Sequence, residues 1–271
     1  MQSTNSKGLV TLTPNEQRVY IELLNKKICS LQDVTEITDN YETSRTTMSR
    51  LVDKGYALRV HRGYYAGIPP ESLNKDHQVD RYLLAHKVSD LQGALAYHTA
   101  LELHGVAHSY FNTVYYLRPK SLRPFEFQDV EYRYVKTQKL FGVTEFMREG
   151  IRIPVTDRER TFLDCIRRPD HCGGMEEVLK SIATFHKLDY DLLDDYLKHF
   201  DEQSLRQKTG YILSLLEGIL HVPDDFLADL KRSVGAKTYY LTPKLKNGSG
   251  KHVSRWNLIV HKNIEELMRF A

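Results

Sequence analysis

The strongest local constraint on the fold of this chain is a break at residues 67–74, where the sequence reads Gly-Ile-Pro-Pro-Glu-Ser-Leu-Asn. Pro69 and Pro70 fix φ and lack a backbone N–H, so neither a helix nor an inner strand can continue through them. The length of 271 residues allows one large domain or two smaller ones. We therefore predict a first domain over residues 1–68, a linker over 69–76 and a larger domain over 77–271.

The segment before the break has the pattern of three short helices followed by a hairpin. Thr13-Pro14 is typical of a helix N-cap with a first-turn proline, and Ser30 is placed to cap a second helix. A third helix is expected over residues 43–54, and Gly55 is a suitable residue to end it. Two β-prone runs around a turn at residues 61–63 complete the order of elements in a winged helix-turn-helix.

The predicted third helix divides into a buried face and a free face. With about 100° between successive residues, Met48, Leu51 and Val52 fall on one side, which we expect to pack inside the domain. Arg45 falls at the margin of that side. The opposite side carries hydroxyl, arginine and lysine side chains, which can contact bases and phosphates.

Positive charge is concentrated on the third helix and the hairpin. Residues 43–67 contain five Lys/Arg and one acidic residue, whereas the preceding 42 residues contain four Lys/Arg and six Asp/Glu. We therefore predict that these elements bind DNA, while noting that winged helices also serve as protein–protein modules. The predicted DNA-binding residues are Thr43, Arg45, Thr46, Ser49, Arg50, Lys54, Arg59, His61, Arg62 and Tyr64.

The region after the break alternates between helical and β-prone segments. We expect strands near 111–118, 127–135, 145–154, 238–241 and 256–260, and helices near 77–89, 92–104, 157–167, 174–186, 190–200, 204–220, 224–233 and 263–270. The predicted fold class is α+β, with an N-terminal winged helix-turn-helix and a larger mixed α/β domain.

An acidic pair in the larger domain could indicate a metal-dependent nuclease. Asp157 and Glu159 are two residues apart, but Glu159 also fits a capping box that begins at Thr156. Arg160 and Asp164 have the spacing of an i,i+4 ion pair. The structural interpretation of this segment is the better one, so no catalytic role is assigned to it.

Two histidine-containing segments could suggest zinc, but neither has a complete ligand set. His98 and Glu102 share a helix face without the His-Glu-x-x-His order of a catalytic zinc site. Cys165, His171 and Cys172 lack a second short-spaced pair of ligands. We therefore predict no metal, no cofactor and no enzymatic activity.

The overall charge, 38 basic against 35 acidic residues, hides a strong separation along the chain. Residues 187–202 hold six Asp/Glu, and residues 231–264 hold eight Lys/Arg and no acidic residue. These are either two solvated faces or a basic surface for nucleic acid or an acidic protein partner. The residues assigned to that candidate surface are Lys231, Arg232, Lys237, Lys244, Lys246, Lys251 and Arg255.

The sequence favours a cytoplasmic location without membrane contact. No stretch approaches the about 18 apolar residues of a membrane-spanning helix, and the first residues lead into no long apolar core of a signal peptide. Three cysteines are too few and odd in number for a disulfide framework, so we expect reduced thiols.

Four short motifs are spread along the chain between residues 62 and 260. They are Arg-Gly-Tyr-Tyr at 62–65, Ala-Tyr-His-Thr-Ala-Leu-Glu-Leu-His-Gly at 96–105, Val-Thr-Asp-Arg-Glu-Arg-Thr-Phe-Leu-Asp at 155–164 with Arg168-Pro169 and Gly173-Gly174 behind it, and Tyr-Leu-Thr-Pro at 240–243 with Ser-Arg-Trp-Asn-Leu-Ile-Val at 254–260. Together with the predicted winged helix, they make the chain resemble the AbiEi antitoxins of abortive-infection toxin–antitoxin systems.

This resemblance implies a two-domain regulator that is not an enzyme. Its N-terminal domain would repress its own operon by binding inverted repeats in double-stranded DNA. Its C-terminal antitoxin domain would neutralise a cognate nucleotidyltransferase toxin of the AbiEii type. In such type IV systems the two proteins need not form a stable complex.

Two alternatives remain at this point. The chain could be a transcription factor whose larger domain senses a ligand, with no toxin partner. It could also be a DNA-processing enzyme that the winged helix targets to its substrate.

Overall fold

The computed structural model describes residues 11–247 and 250–264, and the chain divides into two compact units. The first unit comprises residues 1–92 and 124–132, and the second comprises 93–123 and 133–271. The division therefore falls beyond the predicted linker at 69–76, within which Pro70–Ser72 forms a 3-10 helix. The prolines end a strand as expected, but the following helix, α4 (Arg81–Val88), still belongs to the first unit and packs against its strand β1 (Ile28–Ser30).

The N-terminal part of the first unit has an element order that fits a winged helix-turn-helix. The three strands form an antiparallel sheet in the order β1-β3-β2. The elements are α1 (Pro14–Lys26), β1 (Ile28–Ser30), α2 (Leu31–Thr38), α3 (Tyr41–Asp53), β2 (Ala57–His61) and β3 (Tyr64–Gly67).

Local capping determines where the first helices begin. The predicted N-caps Thr13 and Ser30 are confirmed, and each forms a capping box with the acidic residue three positions on. Helix α1 ends at Lys26, because the C-cap residue Lys27 adopts a φ of 64°, and Ile28 begins β1 directly after it. Helix α3 begins two residues earlier than predicted, since Asn40 accepts a hydrogen bond from the Thr43 N–H.

The buried face of α3 joins it to α2 and to the core of the first unit. Met48 and Leu51 are fully buried as predicted, but Val52 is only half-buried. Ser44 and Thr47 are buried as well. The Ser44 hydroxyl forms hydrogen bonds of 3.0 and 2.7 Å with the hydroxyls of Thr35 and Thr38 on α2.

A second segment of the chain completes the first unit. Residues 124–132 contain β6 (Phe125–Phe127) and the start of β7 (Val130–Lys136), which pair antiparallel. Phe125 stacks on Tyr132 at a centroid distance of 4.6 Å. No local sequence pattern indicated that this hairpin returns to the N-terminal unit.

The sheet of the second unit has the strand order β7-β5-β4-β9-β8. Its new strands are β4 (Ala94–Leu95), β5 (Thr113–Arg118), β8 (Val143–Arg148) and β9 (Ile151–Thr156). The single strand predicted at 145–154 is therefore wrong, because Glu149 and Gly150 adopt positive φ and turn the chain between β8 and β9. The helix predicted at 92–104 contains β4 in its first half.

Seven α-helices lie in the described part of the second unit. They are α5 (His98–Leu103), α6 (Arg158–Arg167), α7 (Met175–Ala183), α8 (Tyr190–Phe200), α9 (Gln203–Leu215), α10 (Glu217–Leu220) and α11 (Asp224–Arg232). A helix predicted at 204–220 is thus two helices with Leu216 between them. None of the helices in the described residues is long and apolar enough to cross a bilayer.

The last described elements of the second unit form a small three-stranded sheet. Its strands β10 (Tyr239–Tyr240), β11 (Gly250–Val253) and β12 (Leu258–His261) take the order β10-β12-β11. Trp256 is 1% exposed and packs against Gly210 of α9, where an added Cβ would lie 2.1 Å from the indole. The sequence did not predict β11, and the helix predicted at 263–270 lies largely outside the described residues. The predicted α+β class is confirmed.

Candidate nucleic-acid interface

The solvent-facing side of α3 displays most of the predicted DNA-binding residues on that helix. Arg45, Thr46, Ser49 and Arg50 are exposed, and Thr43 is half-buried at the capped first turn. The Thr46 hydroxyl donates to the carbonyl of Glu42 at 2.9 Å. A continuous polar surface of this kind can follow a groove of duplex DNA.

Arg45 is more exposed than the sequence indicated. Its side chain is 58% exposed, and its Nη1 lies 3.2 Å from each carboxylate oxygen of Glu42. Because Ser44 and Thr47 are also buried, the centre of the buried side of α3 lies farther from Arg45 than the sequence predicted. Arg45 therefore belongs to the free face and not to its margin.

Three arginines form the cationic part of the candidate interface. Arg50 lies on α3, Arg59 on β2 and Arg62 in the two-residue turn between β2 and β3. All three are exposed, and within the described chain none has an ion pair or side-chain hydrogen bond. Gly63 adopts a φ of 80° in the same turn, which its missing Cβ permits.

Lys54 is not part of this surface, which corrects the sequence-based assignment. Its ammonium group donates to the carboxylate of Glu16 at 2.7 Å and to the Thr11 carbonyl at 3.2 Å. Burial raises the pKa of Glu16, but hydrogen bonds from Lys54 and Thr13 outweigh that effect and hold the pKa below its ordinary value. Lys54 is therefore a structural partner of α1.

His61 and Tyr64 flank the turn of the wing, the β2–β3 hairpin, but both side chains have partners within the first unit. The His61 ring is half-buried, 4.5 Å from the ring of Phe125 and 6.0 Å from that of Tyr64. Burial lowers the pKa of His61, and the charge of Arg59 lowers it further, although a hydrogen bond with the Arg62 backbone acts in the opposite direction. The Tyr64 hydroxyl donates to the carboxylate of Asp90.

Two residues at the start of α3 were missed by the sequence-based assignment. Tyr41 is 56% exposed, and the Glu42 side chain is 73% exposed. Both lie in the first turn, the part of a recognition helix that meets base edges. Asn40, a favoured N-cap residue, was the local signal that could have placed the helix start here.

The C-terminal basic segment is a second candidate surface, located in the second unit. Lys231, Arg232, Lys237, Lys244, Lys251 and Arg255 are exposed, and Arg232 also forms an ion pair with Asp229. The Lys231 ammonium donates to the Arg255 carbonyl at 2.6 Å, which brings these two residues together. The side chain of Lys246 lies outside the described residues.

The buried side chain of Gln207 joins the chain segments that carry this basic surface. Its amide donates to the carbonyls of Trp256 and Asn257 at 2.9 and 3.0 Å, and to that of Lys237 at 3.4 Å. The Arg255 guanidinium lies 5.5 Å from the Trp256 ring. The hydrogen bonds of Gln207 therefore hold together the segments that carry the basic surface.

The acidic pair considered for a nuclease serves backbone caps. Asp157 is the N-cap of α6, so the capping box predicted at Thr156 is wrong. One carboxylate oxygen of Asp157 caps the helix, and the other accepts a hydrogen bond from the Tyr196 hydroxyl at 2.6 Å. Glu159 accepts from the Asp189 N–H at 2.8 Å. The predicted Arg160–Asp164 ion pair is confirmed at 2.9 Å, and it is fully buried.

The histidine and cysteine candidates are also accounted for by packing. His98 lies 3.4 Å from both Glu102 and Glu177, which confirms the shared helix face of His98 and Glu102. Cys165 and Cys172 are buried free thiols with their sulfurs 3.3 Å apart. Across the described ranges, no group of three or more His, Cys, Asp or Glu side chains could hold a metal ion.

Comparison with known proteins identifies a structural likeness. No protein-family model matches the sequence. No curated protein matches it either. Among solved structures, the chain is similar to the crystal structure of the RV2827C protein from Mycobacterium tuberculosis, with a TM-score of 0.65 and 15% sequence identity. The match covers 96% of this chain and 95% of that chain, and at this identity it shows the fold alone.

Proposed function

We propose that the chain is a DNA-binding transcriptional autorepressor and the antitoxin of a nucleotidyltransferase toxin. One observation carries the DNA-binding half: Arg50, Arg59 and Arg62 are exposed, and no ion pair within the described residues occupies their guanidinium groups. Unpaired guanidinium groups bind phosphates and guanine edges well, so duplex DNA fits this surface.

The proposed mechanism assigns different tasks to α3 and the wing. Helix α3 enters the major groove, where Arg50 and the neighbouring hydroxyl groups meet base edges. Arg59 and Arg62 contact phosphates and fix the position of α3 on the duplex. The proposal includes no enzymatic step, and it places the protein in the cytoplasm, where bacterial operator DNA is found.

The DNA-binding half is tested by gel-shift titration on the promoter region of the chain's own operon, at several salt concentrations. Arg62→Ala is expected to weaken binding and to lower the slope of log K against log salt by about one unit, with sequence preference retained. Arg50→Ala is expected to weaken binding and to reduce sequence preference. Arg152→Ala, which removes an exposed charge from the second unit, is the matched control. Unchanged affinity in both test variants refutes this half.

The antitoxin half is supported by the resemblance of the four sequence motifs. It is tested by co-expression with a neighbouring nucleotidyltransferase gene, with growth as the readout. The full chain is expected to restore growth, and so is an Arg50→Ala/Arg62→Ala variant that no longer represses the promoter. Promoter repression without growth rescue would instead favour a ligand-sensing transcription factor.

The basic C-terminal surface enters this proposal as a contact for nucleic acid or for an acidic protein partner. A Lys251→Glu/Arg255→Glu variant distinguishes the two, since both side chains are exposed. A lower salt slope of operator binding favours nucleic acid. Loss of growth rescue with unchanged operator binding favours a protein partner. No change in either assay identifies the surface as a solvated face.

A further inference from the structure

An acidic residue lies at the leading end of the proposed reading helix. Glu42 is in the first turn of α3, is 73% exposed, and holds Arg45 through its two carboxylate oxygens. Asp53, the other acidic residue of α3, is the last residue at the opposite end of the helix. The first turn therefore carries a carboxylate and a guanidinium side by side.

A carboxylate in this position is unfavourable for DNA binding that ignores sequence. Phosphates repel it, and the positive charge of Arg45 is partly neutralised by it. The exposed i,i+3 pair also contributes little to folding stability. A carboxylate facing the major groove is favourable when it accepts a hydrogen bond from the amino group of cytosine.

The spacing of the pair matches adjacent base pairs. Three residues along a helix correspond to about 4.5 Å of axial rise, close to the about 3.4 Å between successive base pairs. Arginine pairs with guanine through two hydrogen bonds. The mutual contact of Glu42 and Arg45 also restricts the directions in which their side chains point before DNA is bound.

We infer that Glu42 and Arg45 are specificity-determining residues that read two adjacent G·C base pairs. Glu42 accepts from the cytosine of one pair, and Arg45 donates to the guanine of the next. This inference rests on the proposed DNA-binding function, and it names the operator feature that lies under the first turn of α3.

The test is binding-site selection from randomised DNA with the full chain, followed by competition titrations. The wild-type chain is expected to select two adjacent G·C pairs, and to prefer each by about tenfold over the other base pairs. Glu42→Gln is expected to lose the preference at one pair, with affinity for random DNA unchanged or higher. Arg45→Ala is expected to lose the preference at the neighbouring pair.

Glu145→Gln and Arg152→Ala are the matched controls, because these two residues form an exposed ion pair in the second unit, away from α3. If Glu42→Gln and Arg45→Ala select the same motif as the wild type, the inference fails while the proposed function stands. If the wild type and the two control variants select no motif and bind no promoter DNA, the proposed function fails as well. Circular dichroism of each variant verifies that it is folded.

Discussion

The ammonium group of Lys54 lies 2.7 Å from the carboxylate of Glu16, which is 2% exposed, and this pair joins the end of α3 to the first turn of α1. Sequence spacing placed Lys54 on the predicted DNA-binding face of α3. Its contact with Glu16 instead helps to fix the orientation of α3. Lys54 therefore belongs to the residues that hold α3 in place and not to the proposed DNA contacts.

Removal of the Lys54 charge is expected to lower stability without a direct effect on DNA contacts. Lys54→Met leaves the buried carboxylate of Glu16 without its main partner, which costs about 2 kcal/mol in the free energy of unfolding. Urea unfolding measures this loss. At a temperature where the variant is fully folded, its operator affinity should equal that of the wild type. A weaker salt dependence of operator binding would show that Lys54 contacts phosphate after all.

The same pair predicts a pH dependence of stability. The pKa of Glu16 is lowered in the folded state, so the pair's contribution is fully present above the ordinary glutamate pKa of about 4.3 and is lost as pH falls through the folded-state pKa. In Lys54→Met, burial without the lysine favours the protonated carboxyl group. The stability difference between wild type and Lys54→Met should therefore be constant between pH 6 and 8 and should shrink below about pH 4. A difference that grows on acidification contradicts the assignment.

The hydrogen bond between Tyr64 and Asp90 is expected to anchor the wing. Tyr64→Phe and Asp90→Ala should each weaken operator binding by a few fold on all sequences, because a less ordered wing binds phosphate at a higher entropic cost. Loss of the Asp90 charge would by itself strengthen DNA binding, so weakened binding by this variant identifies an anchor. Weakening by Tyr64→Phe alone indicates that the hydroxyl contacts DNA directly. Tyr65→Phe, at the next position of β3, serves as the control.

Gly210 is expected to tolerate no side chain. Its added Cβ would lie 2.1 Å from the ring of buried Trp256, so Gly210→Ala forces the indole or α9 to move. The expected loss is about 1–3 kcal/mol in the free energy of unfolding. Fluorescence of the single tryptophan reports this change in the second unit. Gly218→Ala is the control, since its added Cβ has no heavy atom within 4 Å.

Local signals in the sequence predicted local features of the fold well. Thr13 and Ser30 cap helices because the groups that they bind lie three residues away, and Arg160 pairs with Asp164 one turn along α6. Strand β4 has two residues, too short for any periodic pattern, and it was absorbed into a predicted helix. Such a strand is specified by its neighbours β5 and β9, which are distant in sequence.

The candidate interface was predicted in part for the same reason. The exposed positions of Arg50 and Arg62 follow from helical spacing and from a hairpin turn. The absence of Lys54 from the candidate interface could not be predicted, because its partner Glu16 lies 38 residues away in the sequence. The contact of His61 with Phe125 joins the wing to residues after the predicted linker, and no local pattern indicates it.

The return of residues 124–132 to the first unit affects how this protein can be dissected and recombined. The first unit, to which we assign DNA binding, is not encoded by one uninterrupted stretch, so a deletion of residues 1–70 leaves fragments of that unit attached to the second. An exchange of operator preference between two such proteins by swapping N-terminal gene segments would mix halves of different origin around β6 and β7. Transfer of the complete first unit into another protein needs three junctions, after residues 92, 123 and 132. Point substitutions on α3 are therefore the simpler way to change the proposed operator preference.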